Sequence, residues 1–334
     1  MNNLIIKKLW GILLLVGISQ IFTNGVVVAS DSTLLSSADS VSNRSAKETG
    51  KLFFWEVVSD KTVVYILGSV HVAKASMYPL DPSILKAYKQ CAKIVVESDI
   101  TDPEVQKKVM AFMQKNGQIV SGKTLEDYLS AIEIKAFKTM LPASLPYENA
   151  KRMRPWILQM NLALLLSLEY GYDPNLGLDM HFAKKAKEEQ KPLLSLENPE
   201  TVLLTMASLE WEEEMDLMRV MIRDSIQEKT NFKKEMKEEF DYLFDLWKKG
   251  DVEGLYKIAV VDEINKSPIS KKLIKRLNND RNIAWIPKIE TYLKSDVPHF
   301  VIMGAMHPLG DEGVINLLSD KGYRVRQFDK TISK

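Results

Sequence analysis

The stretch VVYILGSVHVAKASMYPL, residues 63–80, decides the fold. A β-branched and aromatic run climbs to Gly68, and His71 follows three positions later. FVIMGAMHPLGDEG, residues 300–313, repeats the layout: an apolar run, Gly304, then His307. The chain has only four histidines, so two of them share one local design. Runs of this kind are strands. A glycine where a strand ends permits a sharp turn, and the histidine beyond it projects over the edge of a sheet. In α/β sheets, ligands gather at the carboxyl ends of the strands. If the two strands are parallel neighbours, His71 and His307 meet at one place.

Working outward, KLFFWEVVSDKTVVYILGS predicts a hairpin, with strands over 52–58 and 62–68 around Ser59-Asp60-Lys61. Asp81 and Pro82 open a helix as N-cap and first helical residue. KIVVESD, 93–99, predicts a buried strand that presents Glu97 and Asp99 at its end. KPLLSLE, 191–197, predicts another, presenting Glu197 just before the Asn198 N-cap. HFVIMGA and YRVRQF return to strand. Between these ends, Thr101-Asp102-Pro103 opens a helix with Val105, Val109, Phe112 and Met113 on one face, and Thr124 with Asp127 matches a capping box. The middle of the chain, about 101–295, is otherwise mostly helical. The fold class is therefore α/β: a mixed central β-sheet flanked by helices, with a large helical insertion in the middle of the chain.

The apolar run in RPWILQMNLALLLSLEYG is too short and too interrupted for a membrane span and predicts a buried helix. Cys91 is the single cysteine, so no internal disulfide can form; it is expected as a small core residue. Met206, Met215, Met218 and Met221 are expected to fill the core, and EWEEEMD to be a solvated helix face. His181 is expected as a partly buried helix residue, and His299 at a strand edge. A net charge of +1 gives no electrostatic reason to bind nucleic acid.

The first 29 residues have the layout of a secretory signal: Lys7-Lys8, the apolar LWGILLLVGISQIF, then Val27 and Ala29 before a cleavage point. An uncleaved anchor is the alternative. The expected location is extracytoplasmic, secreted or periplasmic, with no stable membrane insertion once the signal is removed. Residues 30–50, rich in Ser, Asp and Asn, predict a flexible tether, and 51–330 the folded domain.

Two imidazoles, His71 and His307, with the nearby carboxylate Glu97 form the donor set of a divalent metal ion such as Mn, Co, Zn or Fe. The order YILGSVHVAKASMYPL, IVVESD, GLDMHFAKKAKEEQKPLLSLENPE, RNIAWIPKIETYL and FVIMGAMHPLGDEGVINLLSDKGYRV resembles the TraB/PrgY/GumN family over roughly residues 52–328. Gly304, His307, Gly310, Gly313, Leu317, Leu318, Gly322 and Tyr323 carry the most specific part. Pro308 stands where relatives usually have Leu. The resemblance implies an α/β fold akin to erythromycin-esterase-like and haem-binding ChaN-like proteins, with the two Gly-x-x-His motifs in the active site. It picks out His71, Glu97, Arg281 and His307, and also Glu197.

It further implies a metal-dependent hydrolase acting on a peptide or protein. His71 and His307 would bind the metal. Glu97 would be a third ligand or the general base. Arg281 would stabilise an oxyanion or hold a substrate carboxylate, an ion pair within the helical region being the other role open to it. The alternative is a non-catalytic binder of a peptide or haem. The absence of H-E-x-x-H and of Gly-x-Ser-x-Gly turns the reading away from zincins and serine hydrolases.

Overall fold

β1 (Lys51–Val58) and β2 (Val63–Ser69) form the expected hairpin, paired antiparallel with Phe54 opposite Leu67 and Val58 opposite Val63. The computed structural model describes residues 46–120, 122–227, 231–265 and 267–331. The expected signal segment and most of the expected tether lie outside these residues. The last tether residues lie along the end of the helix Phe232–Lys248: the amides of Ala46 and Lys47 donate to Asp245 and Asp251, and that of Thr49 to Lys249 O.

Four further strands complete one mixed sheet: β3 (Lys93–Val96), β4 (Leu193–Ser195), β5 (His299–Gly304) and β6 (Arg324–Asp329). Their order is β4-β3-β5-β2-β1-β6. β4, β3, β5 and β2 run parallel, with Ile94 beside Leu193 and Phe300, and Gly68 beside Met303. β1 is antiparallel to both of its neighbours. The C-terminal ends of the four parallel strands therefore open on one edge.

The period of two along a strand sends successive side chains to opposite faces. Phe300 and Ile302 join Leu67, Ile94 and Val96 on one face, against Tyr88 and Phe182 from the helices Pro82–Gln90 and Leu178–Glu188. Val301 and Met303 join Val64, Ile66 and Val95 on the other, against Trp285, Ile289 and Leu318 from the helices Asp280–Leu293 and Val314–Asp320. Both faces are covered, which is why the strand runs are continuously apolar rather than alternating. Each buried Leu, Ile, Val or Phe contributes roughly 1.5–3 kcal/mol relative to exposure.

A third cluster lies within the helical insertion, where Met215, Met218 and Ile222 pack with Leu158, Leu162, Leu165 and Phe240. The apolar helix Pro155–Glu169 is buried along almost its whole length at this junction. Among the described residues no helix is long and apolar enough to cross a membrane.

Some local expectations need correction. β4 spans only Leu193–Ser195, so Glu197 sits two residues past the strand. The Thr124 capping box is present but caps a three-residue 3-10 turn, Leu125–Asp127. Glu214, within the expected solvated face, is buried and ion-paired with Arg154. His299 is no edge residue: it opens the inner strand β5, buried and stacked on Tyr292 at 4.6 Å. Cys91 is buried where the helix Pro82–Gln90 gives way to β3.

Candidate functional site

At the common edge, each parallel strand delivers a polar side chain within three residues of its end. β2 delivers Ser69 and His71, β3 delivers Glu97, β4 delivers Glu197 and β5 delivers His307. The strand exits are tied to one another by backbone bonds: Ala305 N donates to Ser69 O at 2.8 Å, and Glu197 N to Glu97 O at 2.9 Å. Neither Gly68 nor Gly304 has a positive φ, so neither is there for a left-handed turn. A Cβ on Gly68 would meet the Ala305 Cα at 3.4 Å, an ordinary contact. What both glycines contribute is backbone: Gly304 N donates to Glu97 Oε1 at 2.6 Å, and Gly68 O accepts from Trp247 Nε1 at 2.8 Å. Gly310 is different. It has φ +78°, and a Cβ there would run into the Tyr256 ring.

His71 is almost wholly buried and its Nδ1 meets Asp179 Oδ2 at 2.7 Å. Asp179 lies in the first turn of the helix Leu178–Glu188, where the helix dipole favours a carboxylate, and it also accepts from Ser69 Oγ at 3.2 Å. Burial opposes charge on His71. The charge and hydrogen bond of Asp179 outweigh it, Glu97 adds to them, and the pKa ends above the ordinary histidine value. The carboxylate holds Nδ1–H, so the proton chemistry of this ring runs through Nε2.

His307 has the same motif and the opposite state. Its Nδ1 meets Asn282 Oδ1 at 2.6 Å, and Asn282 Nδ2 donates to Glu312 O at 2.8 Å, which orients the amide. Nδ1 is therefore the protonated nitrogen, and Nε2 accepts from Arg281 Nη1 at 3.2 Å. Burial, then the charges of Arg281 and His71, hold its pKa well below the usual value. His307 is a neutral acceptor.

Arg281 sits between them all, buried, with its guanidinium over the Trp285 ring at 4.8 Å. Nε and Nη2 donate to Glu197 Oε1 at 2.9 and 2.6 Å, and Nη2 also to Glu97 Oε2 at 2.6 Å. Nη1 donates to Leu277 O at 2.8 Å and to His307. A π-helical turn, Lys275–Asn279, ends two residues before Arg281 and contains Leu277. The five N–H donors of the guanidinium are all engaged. Glu197 is further held by Trp285 Nε1 at 3.2 Å; burial, with the charge of Glu97, leaves its pKa above the usual carboxylate value despite Arg281.

His71, Glu97, Glu197 and Asp179 line a cavity of about 30 Å3, room for a water molecule, which Val96 and Ile302 close on the apolar side. Glu97, Glu197 and His307 are each in direct contact with Arg281, and His71, held by Asp179, lines the same cavity as the two glutamates. Asp99 stands apart, paired with Lys187. Sequence reasoning missed Asp179 and gave no role to Asn282. Asp179 stands directly after Gly177-Leu178 in a quoted block, but nothing local marks it as the partner of a residue 108 positions earlier.

Two of the three expected metal donors, His307 and Glu97, do not fit a divalent ion as arranged. His307 has both ring nitrogens engaged, one of them toward a cation. Glu97 spends one oxygen on Gly304 and the other on Arg281. Among the described residues no group of three or more His, Cys, Asp or Glu could hold a metal ion.

The TraB/PrgY/gumN family profile matches residues 53–327, and this span contains every residue of the edge just described. The chain belongs to the TraB/PrgY/gumN family. It is also similar to the uncharacterized protein YbaP of Escherichia coli (strain K12), 21% identical over 145 residues, which is 43% of this chain and 52% of that protein. The uncharacterized protein YbaP of Shigella flexneri matches to the same extent. The chain spans about half the length of the curated relatives it matches. No solved structure matches.

Proposed function

We propose that this family member is an exported hydrolase that cleaves an acyl bond, with His71 as general base and Asp179 holding it. The observation that carries the reading is the 2.7 Å His71–Asp179 pair lining a water-sized cavity at the open edge of four parallel strands. A carboxylate on Nδ1 fixes the tautomer that leaves Nε2 as the proton acceptor, and it stabilises the imidazolium that forms. Water in the cavity gives its proton to Nε2 as its oxygen attacks the substrate carbonyl. The same proton then passes to the leaving amine or alcohol as the acyl bond breaks. Arg281, with its donors engaged, keeps Glu97 and Glu197 in place rather than meeting substrate. The family resemblance favours a peptide or protein as substrate, and the Lys7-Lys8, apolar core and Val27-x-Ala29 layout favours export.

The test is a library of peptides and simple esters incubated with the purified protein and with His71→Ala. Turnover by the parent chain that His71→Ala loses supports the reading. A folded protein that hydrolyses neither class, or a His71→Ala variant as active as its parent, removes it. N-terminal sequencing of native material should find residues 1–29 gone; a start before residue 20 removes the export half.

A further inference from the structure

Two of the three donors expected to hold a metal, Glu97 and His307, are arranged with Glu197 around something else. Glu97 Oε2 and Glu197 Oε1 both lie 2.6 Å from Nη2 of Arg281, and His307 Nε2 lies 3.2 Å from Nη1. Glu97 Oε1, which accepts from Gly304 N, also lies 3.5 Å from His307 Nε2. Two carboxylates and one neutral imidazole nitrogen thus converge on a centre with the donor types of a transition-metal site, and a guanidinium stands there. We propose that Arg281 fills this position with a covalently tethered cation, and that the native site takes no divalent metal between Glu97, Glu197 and His307.

Three features suit Arg281 to the position. Guanidinium stays charged at every physiological pH, so the cation is permanent where a metal would come and go with supply. Its planar fork reaches both carboxylates at once. Its place is fixed from behind, by Leu277 O in the π-helical turn and by the face of Trp285. The tautomer of His307 fits as well. Asn282 Oδ1 accepts from Nδ1–H, so Nε2 can accept from the arginine.

The substitution also changes the charge. A divalent ion would balance two carboxylates, whereas a guanidinium carries one positive charge against them. The edge beside His71 is therefore less positive than a metal centre, which suits a residue whose task is to accept a proton. The proposal rests on the assignment of this edge as the working site, but it is tested without turnover, so the absence of hydrolysis would not decide it.

The experiment loads the full chain with Zn(II) or Co(II), removes the excess, and measures metal per chain together with the visible absorption of bound Co(II). The parent chain should hold no metal at this site. Arg281→Ala, which leaves the three donors around a vacancy, should take up about one equivalent and give cobalt bands of low coordination number. Arg281→Lys, which keeps a cation, should take none. An equivalent on the parent chain that Glu97→Gln loses overturns the proposal. So does an Arg281→Ala protein that keeps its circular dichroism and its melting transition yet binds no metal. If Arg281→Ala does not fold, the parent chain and Glu97→Gln decide alone: metal absent from both, or retained by both and so bound elsewhere, upholds it.

Discussion

The two Gly-x-x-His exits have the same spelling and different chemistry. At the end of β2 the imidazole meets a carboxylate, Asp179, and its proton affinity rises. At the end of β5 it meets an amide, Asn282, and a guanidinium, Arg281, and its proton affinity falls well below the usual value. Both rings are buried, so burial does not separate them. The partner on Nδ1 and the charge facing Nε2 do. A repeated motif places a side chain at a strand end; the residues that arrive from the helices decide which way its proton affinity moves.

The sharpest way to break this contrast is to remove each ring in turn. His71→Ala should lower hydrolysis about 10²–10⁴-fold, the usual worth of a general base, while Asp179 retains Ser69 as a partner and the fold survives. His307→Ala should act chiefly on stability, costing about 2–4 kcal/mol, because it strands a buried Arg281 donor and the Asn282 carbonyl. Turnover and denaturant unfolding on both variants decide. Equal losses in both assays would erase the distinction.

pH should pull the two rings in opposite directions. Hydrolysis should rise as His71 loses its proton, at a pH above the ordinary histidine value of about 6.5. Asp179→Asn removes the charge that raises this pKa, so the acid limb of kcat/KM should move to lower pH while the rate falls. In stability, the folded pKa of His71 is raised. Its contribution is complete below about pH 6.5 and is lost as pH climbs through the folded value. The folded pKa of His307 is depressed. The unfolded chain takes up a proton that the folded chain refuses, so His307 lowers stability as pH falls below about 6.5. Unfolding free energies across pH for the parent and for each histidine variant separate the two slopes. A His307 variant with unchanged acid sensitivity would contradict the assignment.

Asn282→Asp makes the second exit resemble the first. With a carboxylate on Nδ1, the His307 resonance should titrate closer to neutrality by NMR; a ring that stays neutral throughout would show that Arg281 alone sets its state. The smallest effect belongs to Ser69→Ala. It deletes one of the two bonds to Asp179 and should slow turnover a few-fold, about 1 kcal/mol, with the His71–Asp179 pair intact.

Much of this edge was legible in the sequence because strands announce themselves locally. The runs ending at Gly68, Val96 and Gly304 are apolar and bounded, and His71, Glu97 and His307 follow from where each run stops. β4 was legible in place but not in length, since three residues of pairing leave little periodic signal. Asp179 and Asn282 lie on helices that have their own apolar stripes, and their meeting with the histidines is tertiary: Asn282 and His307 are 25 positions apart, Asp179 and His71 108. Glu214 failed for the same reason, because its partner Arg154, 60 positions away, is what makes a buried acid tolerable in an acidic run.

The sheet order has a consequence for how the chain is made. β5 lies between β3 and β2, yet Gly304 is synthesised 207 residues after the Glu97 that its amide holds. While the ribosome is still adding the helical insertion, β2 and β3 have no common neighbour, and Glu97 lacks both Gly304 and Arg281. A nascent chain carries His71 without the edge that surrounds it in the finished protein. This order leaves the edge around His71 unassembled until the last inner strand pairs with β2 and β3.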